Sequence, residues 1–171
     1  MNSVNSSNQT NNLFKRLGNY FLPNNDGSFN NLERKDFEAT IATTLTLTGI
    51  TIFWTFYCYA LGMKVMTLGC AVCPPILIGA MYVLKSLKKP VIAGNMVCLA
   101  VLITLSIVHY ASGLGNAPSI FWFSFFPVLA VVVTKLFWAY FWGGMAVLFI
   151  IISETWRVQT GHSFTEYTPE L

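Results

Sequence analysis

Charge is what this chain has least of. Only 10% of its 171 residues are Asp, Glu, Lys or Arg, against 54% hydrophobic, whereas a soluble domain carries about 25% charged residues. None of the four lies between Lys89 and Lys135, and none between Ala39 and Met63. That excludes a sizeable soluble domain. The acids are Asp26, Glu33, Asp36, Glu38, Glu154, Glu166 and Glu170. All fall outside the apolar runs, so the intramembrane carboxylate of a proton or ion pump is missing. So are the GxxxxGK[ST], HExxH and GxSxG motifs and any paired carboxylates, which leaves an enzyme no catalytic residue to work with. No cofactor and no metal is expected. Nucleic-acid binding has no basic surface to rest on. The cysteines Cys58, Cys70, Cys73 and Cys98 all sit in apolar runs, where a thiol behaves as a small hydrophobe, and they form no extracellular disulfide framework. No apolar stretch follows the start, which excludes a signal peptide.

What the chain does have is five apolar runs. A helix needs about 20 apolar residues to cross the bilayer core. The runs are Ala39 to Met63, Val65 to Leu84, Val91 to Tyr110, Pro118 to Val133 and Leu136 to Ser153. The fourth is short for a span. The expected fold is an all-α integral membrane protein of five transmembrane helices over residues 32–157. An Asn- and Ser-rich tail at 1–31 is too polar to bury a core and reads as disordered, and 158–171 form a polar C-terminal tail. Asn30 followed by Glu33 has the form of a helix start. Pro74 and Pro75 in the second run, and Pro127 in the fourth, are expected to kink their helices.

Lys and Arg set the orientation. Lys15, Arg16, Arg34 and Lys35 precede the first span, Lys85, Lys88 and Lys89 join the second to the third, and Lys135 joins the fourth to the fifth. The other side holds Lys64, an uncharged turn and Arg157. This distribution predicts the N-terminus inside and the C-terminus outside.

The stretch from His109 to Pro127, HYASGLGNAPSIFWFSFFP, organises the third and fourth spans. Gly113, Gly115 and Asn116 tolerate positive φ, and Pro118 suits a first helical turn, so Ser112–Ala117 reads as a tight turn. His109 is the histidine within a span, and an intramembrane ionisable group is a functional candidate; the alternative is an interfacial histidine bordering water. A small amphipathic ligand bound there would be lined by His109, Tyr110, Asn116, Phe121, Trp122 and Phe126. Against that stands an aromatic belt of the kind found at every membrane surface. Thr40, Thr44, Thr48, Thr51 and Thr55 share one helical face, as a packing face or a polar conduit. Cys70 and Cys73 have CxxC spacing but no sequence neighbours to complete a metal site, and read as packing residues. Ala139 and Gly143 have the small-xxx-small spacing of close helix contact.

Ser112-Gly-Leu-Gly115-Asn-Ala-Pro118-Ser-Ile-Phe121-Trp122, then Pro127, then Gly143-Gly144 resembles the multi-pass sensory region at the N-terminus of bacterial sensor histidine kinases, which some diguanylate cyclases also carry. The resemblance runs from about Arg34 to the C-terminus. It implies a sensory input module of a two-component system in the bacterial inner membrane. The lipid bilayer, a partner kinase or a second copy of the chain would be its partners. The departure lies after Thr160: no further span, phospho-accepting helix or ATP-binding domain appears in this sequence, so a free-standing sensor or a truncated kinase is expected. The alternatives are a small transporter or channel subunit, and a structural membrane subunit.

Overall fold

A computed structural model of the chain describes residues 31–112 and 117–160. The fold is all-helical: α1 (Asn31–Ala60), α2 (Lys64–Leu87), α3 (Pro90–Ala111), α4 (Ala117–Val133) and α5 (Leu136–Thr160). Four of these, α1, α2, α3 and α5, are long and apolar enough to cross a membrane, and α4 is shorter. The Asn-rich tail, most of the Ser112–Ala117 turn and the end of the C-terminal tail lie outside the described residues.

Local chemistry explains where the helices stop. Gly62 takes φ 74 after α1. Its N–H bonds the Tyr59 carbonyl at 3.0 Å, and the next N–H, from Met63, reaches Cys58 at 3.0 Å. This pair of reversed bonds satisfies carbonyls the helix end would leave open, and it needs a left-handed residue, which glycine supplies without strain. The α2 end uses Lys88 for the same purpose at φ 52, with its N–H on Leu84. Lys89 is then extended and Pro90 opens α3, as a residue before proline and a proline at the first turn each prefer. Between α4 and α5 the Thr134 hydroxyl bonds back to the Ala130 carbonyl at 2.6 Å.

The core is made by α3, which touches every other helix. Its first turns carry the small Ala93 and Gly94, and both are buried. A Cβ on Gly94 would overlap the Val133 carbonyl oxygen and lie 2.8 Å from its carbon. The end of α4 therefore rests on bare backbone. The buried face of α5 reads Ala139, Trp142, Ala146 and Ser153, a helical repeat that points at α4 and α3. Gly143 on that face meets the Pro127 ring, so the small-xxx-small stretch is an α4–α5 contact. Away from these seams the surface is apolar: Phe53, Phe56 and Tyr59 on α1 and Phe137 and Tyr140 on α5 are all more than 60% exposed. A water-soluble monomer rarely shows such a surface, and lipid is the solvent that suits it.

Helical hydrogen bonding continues past Pro74, Pro75 and Pro127, all of which lie inside α2 and α4. The last helix also runs further than composition implied. Glu154 to Thr160, past the apolar run that ends at Ser153, form the final turns of α5. The Thr155 hydroxyl on the Ile151 carbonyl and the Glu154–Arg157 pair three residues apart support it, with the cation at the negative helix end.

Candidate functional site

His109 sits in the last turn of α3 and has no exposed surface. It points inward, between α4 and α5. The Phe123 and Phe149 rings meet it edge-on, with centroids 5.7 and 6.2 Å away. Its Nε2 lies 3.2 Å from Ser153 Oγ. The Ser153 hydroxyl has one proton and gives it to the Ile150 carbonyl at 2.9 Å. Its oxygen can then only accept from the imidazole, which assigns the proton to His109 Nε2.

One residue further on α5, Glu154 Oε1 stands 3.8 Å from the same Nε2, too far for a hydrogen bond. That oxygen is buried and has no hydrogen-bond partner among the described residues. The other carboxylate oxygen accepts from Arg157 Nε at 2.8 Å. His109, Ser153, Glu154 and Arg157 thus form a row that begins inside the bundle and ends at the half-exposed Arg157. A buried acceptor without a donor costs about 1–3 kcal/mol, so the row stores a standing preference for bringing a donor to Glu154.

A second polar contact fastens the same two helices at their other ends. The Trp142 indole N–H donates to Asn95 Oδ1 at 2.7 Å. These two contacts join α3 to α5 directly, while the main packing of α5 is against α4.

The six residues expected to line a ligand site fall into three groups. His109 and Phe126 are buried. Tyr110, Phe121 and Trp122 are exposed, at 45%, 59% and 56%, on the surface given to lipid. Asn116 is outside the described residues. The Phe123 and Phe149 rings meet His109, and Trp122 packs against Phe125 with centroids 6.4 Å apart. Phe126 meets Trp142, away from the imidazole.

Sequence reasoning found His109 and missed its partners. Ser153, Glu154, Arg157 and Phe149 lie on α5, forty or more residues away. A signal for them was present: the Ala139, Trp142/Gly143, Ala146, Phe149/Ile150 spacing runs without a break into Ser153, so the helical face extends past the apolar run.

The other motifs resolve as packing. Each of the five threonines bonds a carbonyl of its own helix one turn back, Thr44 on Thr40 at 2.6 Å and Thr48 on Thr44 at 2.7 Å among them. Their hydroxyls are thus engaged within α1, which suits a packing face and not a conduit. The four cysteines are unoxidised and buried. No group of three His, Cys, Asp or Glu side chains able to hold a metal ion occurs among the described residues. Between α1 and α2 an open apolar groove of about 650 Å³ is lined by Ile52, Thr55, Phe56, Ala71, Pro74, Pro75 and Ile78. Comparison with protein-family models, with curated proteins and with solved structures finds no match, and so no link to histidine-kinase sensors.

Proposed function

We propose that this chain is a sensory input module of the bacterial inner membrane, that the His109–Ser153–Glu154–Arg157 row is its input, and that α5 is the element it moves. The observation that carries this reading is a histidine wholly enclosed in the bundle and bonded across helices to the last turns of α5. A structural histidine could be met by one satisfied bond. Here the row continues to a carboxylate oxygen with no donor among the described residues and then to a charge at the surface. A stimulus that changes either group changes how firmly α5 is held. The output would pass to a partner kinase or to a second copy through the end of α5.

The test uses hydrogen–deuterium exchange on the full chain in lipid nanodiscs. His109→Ala and Glu154→Gln should each speed exchange over residues 150–159 by about tenfold, a loss of about 1.4 kcal/mol of local protection, while helix content stays the same. Unchanged exchange in both variants would uncouple the row from α5 and end the reading.

The unpartnered Glu154 oxygen also favours a second reading, a proton-conducting or transporting subunit. Reconstituted protein that collapses a pH gradient across sealed liposomes, and loses that ability in Glu154→Gln, would establish it. A sensor leaves the gradient standing.

A further inference from the structure

Spacing in the sequence pairs Cys70 with Cys73, but the fold pairs it with Cys58. Cys58 stands in the last turn of α1 and Cys70 in the second turn of α2. Both are buried and unoxidised, and their thiols are hydrogen-bonded to each other across the seam between the two helices. We propose that Cys58 and Cys70 form a two-coordinate site for a soft monovalent cation, Cu(I) or Ag(I), held between their sulfurs. The proposal goes beyond the sensory reading and does not depend on it.

The turn between the helices builds the pair. The Met63 N–H returns to the Cys58 carbonyl at 3.0 Å, so the backbone that carries Cys58 is tied to the start of α2. The thiols contribute nothing to that tie, and the sulfurs are brought together by the chain around them. Two thiols placed this way already share a proton. A cation that takes two sulfur ligands in line can replace it after a small outward turn of either side chain. Binding is an exchange in which both S–H bonds break, two sulfur–metal bonds form, two protons leave to water and no electron moves. The bound group carries one negative charge. It lies within two turns of the helix ends and not at the middle of the spans, and Lys64, the first residue of α2, supplies a cation at that end.

The ligands select the ion. Thiolates suit Cu(I) and ions like it. Zinc takes four ligands in a tetrahedron, and no group of three His, Cys, Asp or Glu side chains able to hold a metal occurs among the described residues. The Cys73 thiol, one turn further on, is engaged by the Thr51 and Thr104 hydroxyls, and Cys98 is enclosed on α3. The approach to the pair is soft as well. Met63, Met66 and Cys70 follow at steps of three and four, which puts them on one side of the helix, and a thioether is a ligand of the same soft kind.

The experiment uses the full, reduced chain in lipid nanodiscs, with Ag(I) as the probe because it stays monovalent without a reductant. One Ag(I) per chain should survive desalting, and Zn(II) should not be retained. X-ray absorption of the silver-loaded wild-type chain should show two sulfur neighbours. In competition with a soluble thiol, Cys58→Ala and Cys70→Ala should each weaken binding by about a hundredfold, the loss expected when one of two ligands is removed. Cys73→Ala and Cys98→Ala should stay within about threefold of the wild type, less than half of the 1.4 kcal/mol that a tenfold change represents. Circular dichroism checks that all four variants keep their helix content, and where one does not, the wild-type absorption spectrum decides. No retained silver, a silver ion with three or more sulfur neighbours, retained zinc, or an equal loss in Cys98→Ala would each overturn the proposal.

Discussion

At the scale of single residues, the chain spends its few polar groups at helix seams. Asn95, Thr104, His109 and Ser153 each reach a neighbouring helix, as when the Thr104 hydroxyl meets the Gly69 carbonyl at 3.4 Å. In lipid such bonds contribute about 0.6 kcal/mol on average, so they orient helices more than they hold them together. Close packing does the holding. Gly94 is the most demanding position, because the Val133 carbonyl occupies the place where a side chain would begin. Gly94→Ala must separate α3 from α4 and should cost about 1–3 kcal/mol, as overpacking of a filled core does. Gly49 on α1 has nothing within 4 Å of a Cβ, so Gly49→Ala should be neutral within about 0.5 kcal/mol. Thermal unfolding of both variants in the same detergent checks the contrast; equal midpoints would mean that the α3–α4 contact is looser than the backbone shows.

At the scale of elements, most boundaries were legible and one was not. Gly62 and the Lys88-Lys89-Pro90 run announce their turns because each rests on local chemistry: a left-handed glycine, and a proline that restricts the residue before it. The end of α5 was hidden because composition changes at Glu154 while helical hydrogen bonding does not. Polarity reports where lipid ends, and a helix is free to continue beyond it. The candidate site was lost for the same reason: half of it lies in those last turns. The threonine face of α1 was legible as a pattern but not as a purpose, since only the hydroxyl partners separate packing from conduit. With each hydroxyl bonded to its own helix, Thr44→Val keeps the packing volume and removes a bond that competes with the ladder. It should shift stability by less than about 1 kcal/mol. Thr44→Ala, which also empties space at a fully buried position, should cost more; thermal unfolding of the two variants in detergent checks the order, and a loss in Thr44→Val as large as that in Thr44→Ala would mean that the hydroxyl itself is needed.

At the scale of the whole molecule, the open question is whether the short α4 crosses the bilayer. Its 17 residues span about 25 Å, a little less than the roughly 30 Å hydrocarbon core, and local thinning or interfacial anchors can absorb such a difference at fractions of a kcal/mol per Å. The contacts of α3 with α5 bear on this more strongly than length does. Asn95, near the start of α3, bonds Trp142, near the start of α5. His109, at the end of α3, bonds Ser153, near the end of α5. The two helices are therefore parallel, with like ends together. If α3 crosses the membrane, α5 crosses it in the same direction, and α4 has to carry the chain back between them. Five spans then follow, and five is an odd number, which puts the termini on opposite sides. Lys85, Lys88, Lys89 and Lys135 lie in or beside the loops of one end and Lys64 and Arg157 at the other, so the positive-inside bias predicts the N-terminus in the cytoplasm and the C-terminus outside. A reporter that works only outside the cytoplasm, fused after Leu171, should be active. A reporter that works only in the cytoplasm should be silent at Leu171 and active when inserted beside Lys135. Cytoplasmic activity at Leu171, with the full chain inserted and the N-terminus also in the cytoplasm, would mean that α4 does not cross, and the parallel pairing of α3 with α5 would have to be given up with it.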